Sequence, residues 1–336
     1  MQFRIIGGKI EPIKRVPLEL YSFDKAFENN RGEIGIPIRG IVEIAGPTGC
    51  GKTTATLSLA GMLGAKENKD IGFAFIESFD PITLTDILES TKFTGSIHPI
   101  VEKSDEKTLD ALVDILREQN IMVGIFDSIG AISPIAEVQG EIGEANMGKR
   151  AKALAQFSRK VEHLLSYDPH KIIFMNNHVH PKIGGRGTIT PGGETTKYIA
   201  TLNIRLKRAY YKNNWEEFPD GSYILEGKVE KNRFGFENRI FNLVVLGGKG
   251  IHPGLTAMYD CIQLKIAERG RGNKVTIGDT DFGTFRTIFG KAHEGNEDFF
   301  QPFFDALQTS KPDIEEIRTD NKEEINNDTE SDNIGE

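Results

Sequence analysis

The sequence predicts an α/β fold: a doubly wound, mostly parallel β-sheet with an antiparallel extension and a small C-terminal module. Three apolar runs, at residues 72–76, 121–127 and 171–176, have the composition of strands buried on both faces of a sheet. Segments of helical period separate them, as in the strand–helix–strand units of parallel sheets. Later strands follow one another without helices between them, which favours antiparallel pairing.

The first strand, residues 41–45, runs directly into a phosphate-loop motif, and a helix is predicted over 53–63 with Gly64 as its C-cap. The motif fits G-x-x-x-x-G-K-[ST] at every position, and a chance glycine-rich turn would not have both flanks. Such loops turn backbone N–H groups toward phosphates, their lysine adds a charge, and their last hydroxyl ligates Mg²⁺. The chain is therefore predicted to bind a nucleotide through Gly46, Pro47, Thr48, Gly49, Cys50, Gly51, Lys52, Thr53 and Thr54.

Composition places the chain among ordinary globular proteins. Of its 336 residues, 38% are apolar and 27% are charged. No apolar run reaches the length of about eighteen residues that a membrane span needs, and residues 1–8 lack the apolar core of a signal peptide. We expect an intracellular protein whose two cysteines, Cys50 and Cys261, are reduced thiols.

Beyond the strand at 72–76, the pattern predicts a helix over 81–90, a short strand near 97–101 and a helix over 108–118. The strand at 121–127 ends in an acid, Asp127, which lies seventy-five residues after Lys52. In phosphate-loop proteins a carboxylate helps to hold the Mg²⁺. Asp127 is therefore the candidate metal partner of Thr53, the alternative being a structural acid.

Residues 147–166 have the period of a two-faced helix. Apolar side chains recur on one face, at Leu154, Phe157, Val161 and Leu164. Polar and basic side chains repeat that spacing on the other face, at Lys149, Lys152, Gln156, Arg159 and His163. Such a stripe is usually a solvated face, and composition alone does not favour a nucleic-acid contact over it.

The strand at 171–176 leads through His178 and His180 into residues 181–193, where five of the thirteen residues are glycine and two are proline. With Lys182 and Arg186 as its cations, this composition predicts a mobile basic loop without packed structure at the carboxyl ends of the strands. The two histidines form an H-x-H pair, but no third metal ligand is in view. Strands are then predicted over 200–208, 222–231 and 240–246, followed by a small module over 254–307.

Several segments resemble the RecA-family recombinases in order and spacing. They are residues 127–134 and 137–148, the triplets Lys182-Ile183-Gly184 and Lys231-Asn232-Arg233, and the pair Gly192-Gly193. The resemblance implies a RecA-like P-loop NTPase core with ATP and Mg²⁺ as cofactors. It also implies a homo-oligomeric filament on single-stranded DNA that performs homologous pairing and strand exchange. Double-stranded DNA and mediator or single-strand-binding proteins are the further partners it implies.

Carried over position by position, the resemblance assigns the phosphate-loop lysine and threonine to phosphates and Mg²⁺, and Asp127 to a contact with the metal through water. Asp80 matches the residue that hydrogen-bonds adenine. Lys231 and Arg233 resemble the cations that reach the γ-phosphate of a neighbouring subunit, as an arginine finger does.

The same resemblance assigns the DNA contacts. Residues 140–148 match the first DNA-binding loop of the family and residues 184–193 match the second. Ile183 occupies the position whose apolar side chain wedges between base triplets. The candidate DNA-binding residues are Met147, Lys152, Arg159, Lys182, Ile183 and Arg186.

Three features depart from the family pattern. The catalytic glutamate of the family lies four residues before the adenine-contacting aspartate, whereas Glu77 lies three before Asp80 and qualifies if one residue is deleted. The switch glutamine is replaced by His178, which resembles the UvsX-type recombinases of large tailed phages. The N-terminal helix of bacterial members is missing, and residues 3–6 are left to supply an intersubunit strand.

The predicted organisation has four parts: an N-terminal oligomerisation strand within 1–15, the ATPase core over 16–253, the small module over 254–310 and a disordered acidic tail over 311–336. From residue 313 onward ten acids accompany two cations, so this segment alone carries the net charge of −8. The tail is interpreted as a solubilising end or as a competitor of DNA for basic grooves.

Two alternatives to a recombinase stay open on the sequence. One is a RecA-like accessory or regulatory ATPase that binds ATP and a protein partner without exchanging strands. The other is a hexameric helicase-type motor, which shares the core but is not expected to match residues 142–148. In each case the expected location is the cytoplasm of a bacterial or phage-infected cell.

Overall fold

The computed structural model describes residues 12–76, 80–132, 148–181, 188–189, 193–209, 218 and 221–314. The predicted N-terminal strand at 3–6 and nearly all of the predicted acidic tail lie outside these ranges. The boundaries proposed between the N-terminal segment, the core, the small module and the tail therefore stay predictions.

The strands of the described part are short at the periphery and longer in the centre. They are β1 (Arg15–Val16), β2 (Ile36–Pro37), β3 (Gly40–Gly46), β4 (Asp70–Phe75), β5 (Ile97–Ile100), β6 (Ile121–Asp127), β7 (Ile172–His178), β8 (His180–Pro181), β9 (Thr188–Ile189), β10 (Leu202–Arg208), β11 (Tyr223–Asn232), β12 (Ile240–Leu246), β13 (Gly250–Ile251), β14 (Glu268–Arg269), β15 (Lys274–Ile277) and β16 (Thr280–Thr284).

The main sheet has nine strands in the order β13-β12-β11-β10-β3-β7-β6-β4-β5. From β10 to β5 each neighbouring pair is parallel, and from β10 to β13 each is antiparallel. The predicted fold class is thus confirmed, including the antiparallel extension. Because parallel strands share one carboxyl edge, the ends of β3, β6 and β7 meet there, and the register pairs Gly46 with His178.

The helices connect these strands and cover the sheet. They are α1 (Tyr21–Ala26), α2 (Lys52–Glu67), α3 (Pro81–Ser90), α4 (Asp105–Ile115), α5 (Lys149–Tyr167), α6 (Gly193–Ile199), α7 (Pro253–Gln263), α8 (Phe285–His293) and α9 (Gln301–Ser310). Among the described residues, none of these helices is long and apolar enough to cross a membrane.

Two hydrophobic clusters lie on opposite faces of the sheet, and strand β7 contributes to both. Its Ile172 and Phe174 belong to one cluster, whereas its Ile173 and Met175 belong to the other. All four side chains are fully buried. Alternation along a strand directs successive side chains to opposite faces, which explains why a strand buried on both sides has a continuous apolar sequence.

Two helix ends differ from the prediction. Gly64 is predicted to end α2, but the helix continues to Glu67 and Asn68 takes the left-handed cap with φ 51°. A Cβ on Gly64 would lie 2.6 Å from the Phe93 ring, so this glycine allows close packing instead of ending the helix. Helix α4 begins three residues before the predicted start, because the Ser104 hydroxyl accepts the Lys107 N–H and caps it.

The expectation that residues 181–193 contain no packed element is corrected in part. Strands β8 and β9 pair in antiparallel register, with His180 opposite Ile189 and Pro181 opposite Thr188. Helix α6 also begins at Gly193, inside the predicted loop. Residues 182–187 and 190–192 lie outside the described residues. Composition did not predict these strands because two paired residues are enough to form a β-ladder, and so short a segment has little effect on the composition.

Candidate functional site

The phosphate loop joins β3 to α2 at the carboxyl edge of the sheet. Gly51 has φ 104°, and a Cβ at this position would lie 2.4 Å from the Tyr223 hydroxyl, so conformation and space both require glycine. The Lys52 ammonium donates to the carbonyl oxygens of Gly46 at 3.1 Å and Pro47 at 3.0 Å. Its side chain is therefore already folded over the loop, where it can bind phosphate oxygens.

The predicted metal-binding pair is brought together directly. The Thr53 hydroxyl, in the first turn of α2, donates to Oδ2 of Asp127 at 2.6 Å. Asp127 ends β6 and is 8% exposed. A hydroxyl and a carboxylate are hard oxygen donors of the kind that Mg²⁺ prefers, so these two residues fit a magnesium site beside the phosphates.

His178 lies at the end of β7 beside the phosphate loop. Its Nδ1 is 3.4 Å from the Lys52 ammonium and 3.4 Å from the Thr48 hydroxyl. The next residue, Val179, donates its N–H to the Gly46 carbonyl at 3.1 Å. The imidazole thus contacts two side chains of the loop, while the chain that follows leads to β8 and β9.

Asp80, the candidate adenine contact, caps helix α3 in this structure. Its carboxylate accepts the Ile82 N–H at 3.2 Å, the Thr83 N–H at 3.1 Å and the Thr83 hydroxyl at 2.7 Å. The Thr83 hydroxyl and these N–H groups hold the pKa of Asp80 below its usual range. The cap keeps the side chain ionised at the surface, and its role toward adenine stays a prediction.

Lys231 and Arg233 both bind the carboxyl end of helix α6. The Lys231 ammonium donates to the carbonyls of Lys197 at 2.5 Å and Ala200 at 2.6 Å, and the Arg233 guanidinium donates to the Tyr198 carbonyl at 3.0 Å. Burial and then the charge of Arg233 lower the pKa of Lys231. Cations at a helix C-terminus are stabilising there, so the two residues have a structural role within the chain besides the predicted one.

The two-faced character of helix α5 is confirmed. Leu154, Phe157, Val161 and Leu164 are buried, while Lys152 and Arg159 are exposed on the other side. The remaining predicted site residues, Glu77, Met147, Lys182, Ile183 and Arg186, lie outside the described residues. Their roles, like those of Lys152 and Arg159 toward DNA, stay predictions.

Comparison with known proteins decides the family. The family model of the RecA N-terminal domain matches residues 13–252. The chain belongs to the RecA family. Protein RecA of a Nitratiruptor species is 30% identical over 255 residues, which are 73% of this chain and 70% of the relative. A crystal structure of the RadB recombinase matches with 18% identity and a TM-score of 0.49, covering 65% of this chain and 92% of RadB.

Family membership fixes the class of enzyme. RecA-family proteins are DNA-dependent ATPases that generally use ATP with Mg²⁺, and this chain is an ATPase of that class. RecA-type recombination, DNA binding and assembly into oligomers are properties of the family. In this RecA-family chain Lys52 lies over the phosphate loop and Thr53 contacts Asp127 beside it.

A cluster of buried polar side chains behind the phosphate loop was not predicted from the sequence. Glu43, in the middle of β3 and 3% exposed, accepts hydrogen bonds from Asn177 at 2.6 Å and Asn203 at 3.0 Å, and also from the Thr196 hydroxyl. Burial raises the pKa of the Glu43 carboxyl, and these hydrogen bonds oppose the shift. The signal that could have indicated it is a polar residue within the predicted strands 41–45 and 200–208 and another directly after the strand at 171–176.

Proposed function

We propose that this RecA-family chain is an ATP-dependent recombinase that forms a filament on single-stranded DNA and catalyses homologous pairing and strand exchange. The observation that supports it best is the position of His178, within 3.4 Å of both Lys52 Nζ and Thr48 Oγ1 at the start of the segment leading to residues 182–193. A side chain there can respond to the γ-phosphate and affect a DNA-binding loop. It replaces the glutamine of bacterial members, and on this basis we propose a relationship to the UvsX-type phage recombinases.

At the phosphate site, each residue has a chemical role in the proposal. Lys52 exchanges its carbonyl acceptors for phosphate oxygens, Thr53 ligates the metal, and Asp127 holds it through water. Mg²⁺, when bound, neutralises charge that develops on the phosphates. Glu77 is the proposed general base that activates water, and Asp80 the proposed adenine contact.

The remaining roles depend on assembly and DNA. Lys231 and Arg233 act on the γ-phosphate of a neighbouring subunit, leaving the helix α6 carbonyls that they bind in the single chain. The exposed basic face of α5, with Lys152 and Arg159, lines the DNA path with Met147, Lys182, Ile183 and Arg186. Double-stranded DNA is the second substrate, and mediator or single-strand-binding proteins are the proposed partners.

One set of measurements separates the candidate functions. ATP hydrolysis is measured with and without single-stranded DNA, the mixtures are imaged by electron microscopy, and strand exchange is assayed between a circular single strand and a homologous duplex. A recombinase gives stimulation, helical filaments and exchanged products. An accessory ATPase gives no exchange, and closed rings indicate a helicase-type motor.

The His178 switch gives the sharpest single test. Replacing His178 with alanine should keep nucleotide binding but remove the stimulation of hydrolysis by DNA, because the link to the loop is lost. His178→Gln should retain stimulation, since an amide also donates and accepts hydrogen bonds. A fully stimulated His178→Ala enzyme would contradict the switch.

A further inference from the structure

The carboxylate of Glu43 occupies an unusual position, in the centre of the sheet between three elements. Oε1 accepts from Nδ2 of Asn177 on β7, and Oε2 accepts from Nδ2 of Asn203 on β10. The Thr196 hydroxyl, on helix α6, donates to the same carboxylate. A buried carboxylate is costly unless its oxygens are hydrogen-bonded, and here each oxygen has a donor.

The chemistry of a carboxylate fixes the orientation of both amides. An ionised carboxylate only accepts hydrogen bonds, so each asparagine must present its NH₂ group to Glu43. For Asn177 this turns Oδ1 toward the main chain, where it accepts the His178 N–H at 3.0 Å. For Asn203 it leaves Oδ1 buried with no hydrogen-bond partner among the described residues. The contact with Glu43 therefore fixes the orientation of the Asn203 amide, although a buried oxygen without a hydrogen bond is energetically unfavourable.

We propose that Glu43 is a positioning residue for DNA-coupled ATP hydrolysis, acting on His178 through Asn177 and on helix α6 through Thr196. The chain of contacts runs from Glu43 to the Asn177 amide, from its oxygen to the His178 N–H, and from the imidazole to Lys52 and Thr48. Helix α6 begins where the proposed second DNA loop ends. Glu43 thus contacts the elements on both sides of the proposed second DNA loop, and this inference rests on the proposed function of His178.

A donor–acceptor exchange tests the link. Asn177→Asp places a second carboxylate against Glu43 and so breaks the contact. Glu43→Gln alone keeps it, because the glutamine oxygen accepts from Asn177 while its NH₂ group donates to Oδ1 of Asn203 once that amide has turned over. In the double variant the glutamine NH₂ donates to the new carboxylate, whose other oxygen still accepts the His178 N–H. The matched control is Asn203→Ala, which removes the Glu43 contact that does not lead to His178.

The readout is the ratio of kcat for ATP hydrolysis with and without single-stranded DNA, measured beside the Kd of the nucleotide and the urea midpoint. The ratio should fall about tenfold or more in Asn177→Asp, as expected when a buried hydrogen bond goes unmade. It should stay close to wild type in Glu43→Gln and recover in the double variant, and Asn203→Ala should lower the midpoint while keeping the ratio. If Asn177→Asp does not fold, Asn177→Ala interrupts the same path.

The outcomes separate this inference from the function on which it rests. Stimulation that survives in folded Asn177→Asp, is lost equally in Asn203→Ala, or is not restored in the double variant overturns the positioning role, while wild-type stimulation and its loss in His178→Ala would still stand. If wild-type hydrolysis does not respond to DNA, or His178→Ala responds fully, the proposed function and this inference are both overturned.

Discussion

The carboxyl edge of the sheet and the junction of α1 and α7 both bury acids, and the surroundings of these acids differ. At the carboxyl edge of the sheet, Asp127 meets the hydroxyl of Thr53, whose residue is partly exposed. At the junction of α1 and α7, Asp24 and Asp260 are 3% and 0% exposed. Asp24 accepts the N–H groups of Leu18 and Leu20, and Asp260 accepts the N–H of Ser22.

The difference shows what each group of acids can do. At the first region the donor is a side chain beside an accessible loop, so a nucleotide and its metal can replace the contact. At the second region the donors are mainly backbone groups fixed by the fold, and burial raises the pKa values of Asp24 and Asp260 to about 7. In the first region the hydrogen bond between Thr53 and Asp127 can be exchanged for other contacts. In the second region the packing of the acids is coupled to their protonation.

The largest expected effect is at the first region. Lys52→Ala should lower kcat for ATP hydrolysis by at least about a thousandfold, because a charge-assisted contact to the transition state is lost. The thermal midpoint should change little, since no core packing is removed. The control is Lys66→Ala on the same helix, which removes a surface ion pair with Glu19 and should leave kcat unchanged. Near wild-type turnover in Lys52→Ala would refute the assignment.

The second prediction concerns the source of the cations at the phosphate site, which come either from the same chain or from a neighbouring subunit. If Lys231 and Arg233 act on a neighbour, Lys52→Ala subunits mixed with Arg233→Ala subunits should recover part of the activity, because an intact site forms between two defective chains. Hydrolysis is measured across mixing ratios, with mixed assembly verified by crosslinking. No recovery at any ratio would indicate that the cations serve only as the α6 cap.

The third prediction concerns the second region. The folded-state pKa values of Asp24 and Asp260 are raised, so the folded protein holds protons that the unfolded chain releases. Their stabilisation is complete below about pH 4 and is lost as the pH rises to about 7, each with a slope of up to about 1.4 kcal/mol per pH unit. Urea unfolding from pH 4.5 to 8 measures this, and Asp260→Asn should flatten the profile. A stability that rises steadily over that range would contradict the burial argument.

The smallest effect is expected for the acidic tail, whose base is anchored close to the second region. Tyr21 donates to the Pro312 carbonyl at 2.7 Å and Arg239 pairs with Asp313. Truncation after Ile314 keeps these anchors and removes nine acids and two cations. DNA association should become faster and tolerate more salt if the tail competes for basic grooves. An unchanged salt dependence would favour a solubilising tail.

The sequence predicted the sheet, and it predicted that the phosphate loop and Asp127 lie at one edge of that sheet, because these signals are local. An apolar run specifies a strand buried on both faces, and the spacing of Lys52 and Thr53 follows from one turn of chain. The position of Asp127 followed from its place at a strand end. The polar residues of the Glu43 cluster are visible in the sequence, but their contacts could not be predicted, because Asn177 and Asn203 meet Glu43 only through the strand order β10-β3-β7. The role of Gly64 was hidden for the same reason, since Phe93 lies in another element.

Strand β7, which ends at His178, has side chains in both hydrophobic clusters. A strand held between two close-packed layers cannot slide or tilt without opening voids on one face and clashes on the other. If His178 responds to the γ-phosphate, β7 itself therefore stays in place. The response is then a rotation of the imidazole or a change in the backbone directly after it. In the proposed switch the sheet would therefore act as a fixed support for His178.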